Sequence, residues 1–249
     1  MFEAIYTLWL REIKKYFRSK SRIIGSLGQP ILFLVALGFG LGPVFQKAGE
    51  GNYIQFLVPG IIAMSILFTA IFSGISVIWD RQFGFLKETL VAPVPRWQIM
   101  LGRTLGGATV SVIQGVIVFA LSFLAGFKLT DLSLLPSAFI FMFLIALLFA
   151  AIGLAIASLL ADMQGFQLIM NFMVMPIFFL SGALFPMEGL PKILSVIVKF
   201  NPLAYGVDGI RGCLGGAINF GLMTDFWILG IAVVFLVALG GYLFSKIQI

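Results

Sequence analysis

Long apolar runs alternate with short polar stretches along most of the chain. A helix needs about 20 mostly apolar residues to cross the hydrocarbon core of a bilayer. Six runs reach that length, and they predict spans near Ile23–Val44, Ile54–Trp79, Met100–Gly126, Leu134–Leu160, Phe166–Leu184 and Phe226–Phe244. Pro176 falls inside the fifth. With Arg103 counted to the loop before span three, the span cores are expected to carry no Asp, Glu, Lys or Arg. Before the first run, Phe2, Ile5, Trp9, Ile13, Tyr16 and Phe17 recur at helical spacing, with Arg11, Lys14, Lys15 and Arg18 mostly on the other side. That pattern predicts an amphipathic helix over residues 1–22 lying in the headgroup plane, since aromatic residues crowd its apolar face. A solvated cytoplasmic helix is the plainer alternative.

Composition gives the same class. Of 249 residues 61% are hydrophobic and 10% charged, against about 25% charged in a soluble domain. With 27 Phe and a mean hydropathy of +1.11, most of the surface is expected to face lipid. The fold class expected is an all-α membrane protein, read as one membrane domain over 1–249. With one cysteine, Cys213, and no histidine, the usual zinc and haem ligand sets cannot be assembled. The first apolar run is span-length and follows a charged segment, so it is expected to be a retained span and not a cleaved signal.

Charge sets the orientation. Arg11, Lys14, Lys15, Arg18, Lys20 and Arg22 precede span one, Arg81, Lys87, Arg96 and Arg103 lie between spans two and three, and Lys246 follows span six. Lys47, Lys128, Lys192, Lys199 and Arg211 are spread over the other loops. The positive-inside rule places both termini and the 80–99 loop in the cytoplasm of a plasma-membrane protein, and an even number of spans agrees.

Two loops carry the information. In the cytoplasmic one, Gly84 to Val91 is predicted to form a short helix bearing Phe85, Leu86 and Leu90, ended by Pro93-Val94-Pro95. Its apolar side chains need a surface, which lipid, the rest of the chain or a soluble partner would supply. In the outer region 186–225, Pro186, Pro191 and Pro202 separate apolar helical pieces near Lys192–Phe200 and Leu203–Arg211 that are too short to span. They read either as a re-entrant hairpin or interfacial pair, or as an ordinary loop on the headgroups. Asp208 and Arg211, at i and i+3, are spaced to pair.

Several absences narrow the function. Ion- and proton-coupled transporters usually place ionisable groups inside the membrane, and none is expected here. The P-loop pattern GxxxxGKS/T is missing, so the energy source is expected outside this sequence. The run Gly38-Phe39-Gly40-Leu41-Gly42 looks like a phosphate loop but follows a span. The GxxxG pair Gly102 and Gly106 suggests close helix packing. The ten acidic residues are scattered, without the clustering a membrane-embedded enzyme needs.

Phe85-Leu86-Lys87-Glu88-Thr89-Leu90, then Pro93-Val94-Pro95-Arg96 and Leu101-Gly102-Arg103, form one group of motifs. The second is Leu180-Ser181-Gly182, Phe185-Pro186, Leu190-Pro191, Asn201-Pro202-Leu203 and Asp208-Gly209-Ile210-Arg211-Gly212. In this order on six spans, the chain resembles the type-2 ABC exporter permeases, which include drug-resistance and nodulation-factor exporters. The resemblance implies a permease, not itself catalytic, that works as a homodimer with two copies of a separate ATP-binding subunit. That subunit would hold ATP and magnesium, so no cofactor is expected on this chain, and no nucleic acid. It implies a coupling helix whose contacts are Phe83, Phe85, Leu86, Lys87, Glu88 and Leu90. It also implies re-entrant helices carrying Pro191, Asn201, Pro202, Asp208 and Arg211. The cargo expected is a hydrophobic or amphiphilic small molecule, with a lipid-linked saccharide as the alternative and a secondary transporter or channel as the rival mechanism.

Overall fold

The computed structural model describes residues 2–47, 52–129, 132–160, 162–187 and 191–246. Among them, all regular secondary structure is helical. The helix α1 (Phe2–Arg18) leads into α2 (Lys20–Lys47). Asn52 caps α3 (Tyr53–Phe72) by accepting from the Ile54 amide at 3.0 Å. The chain continues after a short break as α4 (Ile75–Gln82), then α5 (Phe85–Val91) and α6 (Arg96–Ser122). Next come α7 (Leu135–Leu159), α8 (Met163–Phe179), α9 (Lys192–Phe200), α10 (Pro202–Cys213) and α11 (Leu222–Ser245).

Five segments are long and apolar enough to cross a membrane: Ile23–Lys47, Tyr53–Gln82, Arg96–Ser122, Leu135–Leu159 and Leu222–Ser245. The sixth expected span is α8, whose 17 residues sit at the short limit for crossing. It stops at Phe179 and not near Leu184, because the chain turns at Ser181 and Gly182, the latter at φ +70°.

The centre of the bundle is α3, α6 and α7, whose facing side chains (Ile61, Leu67, Ala108, Ile145 and Phe149 among them) are fully buried. The α3–α4 break lies where backbone meets backbone. A Cβ on Gly74 would run into the Gly153 carbonyl oxygen, and one on Gly153 would run into that of Ile71. Helices α10 and α11 close the other side of α7, while α2 and α8 turn apolar side chains such as Leu32, Phe39, Leu168 and Phe172 outward.

The GxxxG pair packs α1 against α6. A Cβ on Gly102 would meet the Ile5 carbonyl oxygen at 2.9 Å, and one on Gly106 would meet Glu12 Cβ at 2.7 Å. Trp9 Nε1 donates to Thr109 Oγ1 at 2.9 Å, and the Tyr16 hydroxyl donates to Gln114 Oε1 at 2.5 Å. The amphipathic helix therefore packs along α6 from Gly102 to Gln114.

Two expectations are corrected here. Helix α6 begins at Arg96, so Arg103 lies inside it, buried. Helix α11 begins at Leu222, which takes Asp225 into its first turn, also buried. Both helices start a turn earlier than hydropathy suggests, because each charge is enclosed by neighbouring helices and no longer sets a water boundary.

Candidate functional site

One end of the bundle gathers α1, α4, α5, the start of α6 and the end of α11. Arg96 Nη1 donates to the Ser245 carbonyl at 2.8 Å, and Arg11 on α1 reaches Asp80 on α4. The middle of α1 and the end of α11 therefore lie at the same end of the bundle as α5.

Helix α5 is a short knuckle between α4 and α6. Gly84, its N-cap, takes φ +82°, a left-handed conformation that costs other residues about 1–2 kcal/mol and lets the chain reverse straight out of α4. At the far end Pro93 and Pro95 stop the helix, and Pro95 caps α6. Of the side chains expected to serve as contacts, Leu86 is only 3% exposed and faces the bundle, and Leu90, one turn on, packs beside it on the core. Phe83 is 70% and Phe85 54% exposed, and Lys87 and Glu88 point to the outside. The expected trio of apolar anchors thus divides: Leu86 and Leu90 hold α5 to its own chain, and Phe85 faces away. Val91, 82% exposed at the helix end, joins the outward apolar face. The i, i+4 spacing of Leu86 and Leu90 was the sequence signal for an inward stripe.

Beneath the knuckle lies an ionic cluster built on the buried pair Asp80 and Arg103. The Asp80 carboxylate accepts from Arg11 Nη2 at 2.9 and 3.0 Å and from Arg103 Nη2 at 2.6 Å. It ties α1, α4 and α6 through one acidic side chain. Arg81 Nη1 adds a bond to the Leu160 carbonyl at 3.2 Å, reaching the end of α7. Sequence reasoning counted Asp80, Arg81 and Arg103 as loop charges and Arg11 to the basic face of the N-terminal helix, and did not pair them. In a chain so poor in charge, an acid at the end of one span and an arginine just inside the next were the available signal.

At the opposite end, α9 and α10 meet at a bend of 86°. Pro191 precedes α9 and is exposed, while Leu190 lies outside the described residues. Asn201 is the hinge of the bend. Its side-chain oxygen accepts from the Leu203 amide at 3.0 Å, and its amide donates to the Ile177 and Leu180 carbonyls at 2.6 and 2.8 Å. Pro202 occupies the first turn of α10, where a missing N–H costs nothing. Helix α10 is then buried from Leu203 to Cys213.

Asp208 and Arg211, spaced to pair, do not pair. Asp208 accepts from the Asn219 amide at 2.9 and 3.0 Å, from Asn219 Nδ2 at 2.8 Å and from the Phe220 amide at 2.8 Å. Arg211 Nη2 donates to the Gly182 carbonyl at 2.9 Å and to that of Phe56 at 3.4 Å, with its guanidinium 4.0 Å from the Phe56 ring centroid. Each charge finds backbone partners from a different segment, which satisfy it better than its neighbour one turn away. A cavity of about 340 Å³ opens beside Arg211, Asn219 and Phe56. Among the described residues no three His, Cys, Asp or Glu side chains gather to hold a metal.

The chain matches the family model described as ABC-2 type transporter over residues 3–214. It is 28% identical over 251 residues to the inner membrane transport permease YadH of Escherichia coli (strain K12), covering 98% of this chain and 94% of that one. It is 30% identical to Nodulation protein J of Rhizobium leguminosarum bv. trifolii over 78% of this chain and 74% of the other. It is 29% identical to the putative transport permease ycf38 of Cyanophora paradoxa over 84% and 73%. With a match from α1 to the end of α10 and relatives aligned over most of their length, this chain belongs to the ABC-2 type transporter family, as a multi-pass membrane permease.

Proposed function

We propose that this chain is the membrane-spanning subunit of an ATP-driven exporter, powered through α5 by a separate ATP-binding subunit. ABC-2 permeases work with ATP-binding subunits in general. The observation that carries the reading is the two-sidedness of α5: Leu86 is sealed into the bundle while Phe83, Phe85 and Val91 stand outside it. Large apolar groups exposed together on a polar loop mark a contact surface. Lys87 and Glu88 beside them supply its polar rim.

Nucleotide binding draws two partner subunits together, and each grips one α5. Because Leu86 and Leu90 are packed and Gly84 and Pro95 join the knuckle directly to α4 and α6, a push on α5 moves those helices. The Asp80 cluster spreads the movement to α1. Packed interfaces change between discrete arrangements, so the push switches the bundle between two packings. The second copy of the chain packs against the outward apolar faces of α2 and α8, and the route runs between the copies. Positive charge at the α5 end supports a cytoplasmic position for it and for both termini, in the plasma membrane. The α9–α10 elbow then lies on the outer side as a re-entrant element. The cargo is hydrophobic or amphiphilic.

Co-expression with the ATP-binding subunit tests this. Phe85→Asp together with Val91→Asp keeps the permease folded and abolishes its co-purification with that subunit and the nucleotide-driven transport. Transport that survives both changes contradicts the assignment.

A further inference from the structure

At the end of the bundle opposite α5, two acids meet inside the protein. Asp208 on α10 and Asp225 in the first turn of α11 are both fully buried, and their carboxyl groups lie within hydrogen-bonding reach of each other. Their surroundings differ. Asp208 is ringed by donors, the Asn219 amide, Asn219 Nδ2 and the Phe220 amide. Neither oxygen of Asp225 has a donor.

No cation compensates the two. Helix α11 packs on α10, α7 and α6. Besides Asp208, α10 brings Tyr205, Arg211 and Cys213. Arg211 turns instead to the Gly182 and Phe56 carbonyls, the Tyr205 hydroxyl donates to the Lys199 carbonyl, and Cys213 is a buried thiol. Helix α7 and the segment 214–221 carry no ionisable side chain. Arg96 and Arg103 on α6, and Tyr242 on α11, lie toward the α5 end.

Two carboxylates in contact inside a protein do not both stay ionised; the pair takes up one proton. The hydrogen bonds decide which acid carries it. Three donors stabilise Asp208 as the anion and fill three of its roughly four acceptor sites, which leaves room for one more. Asp225, with no donor of its own, fits that place only as a protonated acid donating to Asp208. A single free site suits a proton and not a metal ion, which needs several oxygens.

We infer that Asp208 and Asp225 hold one proton between them, carried by Asp225, and that this proton clasps the first turn of α11 to α10. Its loss sets two like charges in one enclosed space and parts the two helices beside the α9–α10 bend. The clasp needs neither nucleotide nor partner, so it stands apart from the exporter reading.

The chain has no histidine, so between about pH 5 and 8 no other side chain of ordinary affinity titrates. The test melts the purified full chain in lipid nanodiscs across that range, beside Asp225→Asn, whose amide donates to Asp208 at every pH. The folded pair keeps a proton that an unfolded chain, with aspartates that titrate at about 3.9, has released. Stability therefore falls as pH rises. The native melting temperature drops by about 2–4 °C per pH unit while the pair holds its proton, and that of Asp225→Asn stays level. Cys213, buried near Asp225, reports the opening: a neutral thiol reagent reacts equally with both proteins at the acid end and faster with the native chain at the alkaline end. In the native chain alone, the infrared C=O stretch of a protonated carboxylic acid is present at about pH 7, where exposed carboxyl groups are ionised. Absence of that band, equal melting slopes or equal thiol rates throughout would each overturn the clasp. So would stabilisation by calcium of the native chain and not of Asp225→Asn, which would put a metal in the proton's place. None of these outcomes bears on α5, which the co-purification experiment reads separately.

Discussion

Asp80 on α4 and Arg103 on α6 meet at 2.6 Å with Arg103 only 2% exposed. Arg11 from α1 holds the other side of the same carboxylate, so two cations share one anion beneath α5. Removing the shared partner is the severe change. Asp80→Asn leaves a buried, unpaired guanidinium and is expected to cost about 3–5 kcal/mol, read as a large fall in melting temperature. Arg11→Met, with its side chain partly exposed, costs far less. Equal losses from the two would show that the cluster is not organised around Asp80.

The division of labour on α5 gives a second prediction. Leu86→Ala empties a buried position and lowers stability by about 3 kcal/mol. Phe85→Ala changes stability by less than about 0.5 kcal/mol, as for other exposed positions, yet weakens association with the ATP-binding subunit. Melting curves paired with pull-downs check both. Changing Phe85 and Leu86 together would confuse the two roles.

Close approach at Gly106 predicts a third outcome. Gly106→Leu collides with Glu12, whose Cβ stands 2.7 Å from an added Cβ. Overpacking of this kind costs about 1–3 kcal/mol, and the cheapest relief is to move α1 off α6. Trp9 then loses its bond to Thr109, so the tryptophan emission should change and the N-terminal helix should become sensitive to protease.

Asn201 is a cap and a tie at once. Asn201→Ala removes the α10 cap and two bonds to the end of α8, for an expected loss of about 2 kcal/mol. Asn201→Asp keeps the cap but cannot donate to Ile177 and Leu180, so it should recover only part of the loss in thermal melting.

Much of this was legible in the sequence, and the rest was hidden for identifiable reasons. Hydropathy located the spans because lipid imposes one length on them, and the prolines at 93, 95, 191 and 202 punctuated both loops. Arg103 and Asp225 escaped because a hydropathy boundary treats every charge as a water marker, whereas Arg103 is enclosed with Asp80. The Asp208–Arg211 pairing failed because spacing along a helix says nothing about the carbonyls and amides that other segments bring near. Val91 was passed over as the last residue of a short apolar run. The contact between Asp208 and Asp225 could not be read at all, since it depends on packing between helices.

Cross-linking from single cysteines tests the central claim most directly, since the chain's own Cys213 is buried. Cysteine is placed in turn at positions 85, 86 and 193, and the co-expressed ATP-binding subunit is probed with a short heterobifunctional reagent. The account predicts adducts from Phe85→Cys, few from Leu86→Cys, and none from Ile193→Cys on α9 at the opposite end. No adduct at position 85, or equal yields from positions 85 and 193, would contradict it.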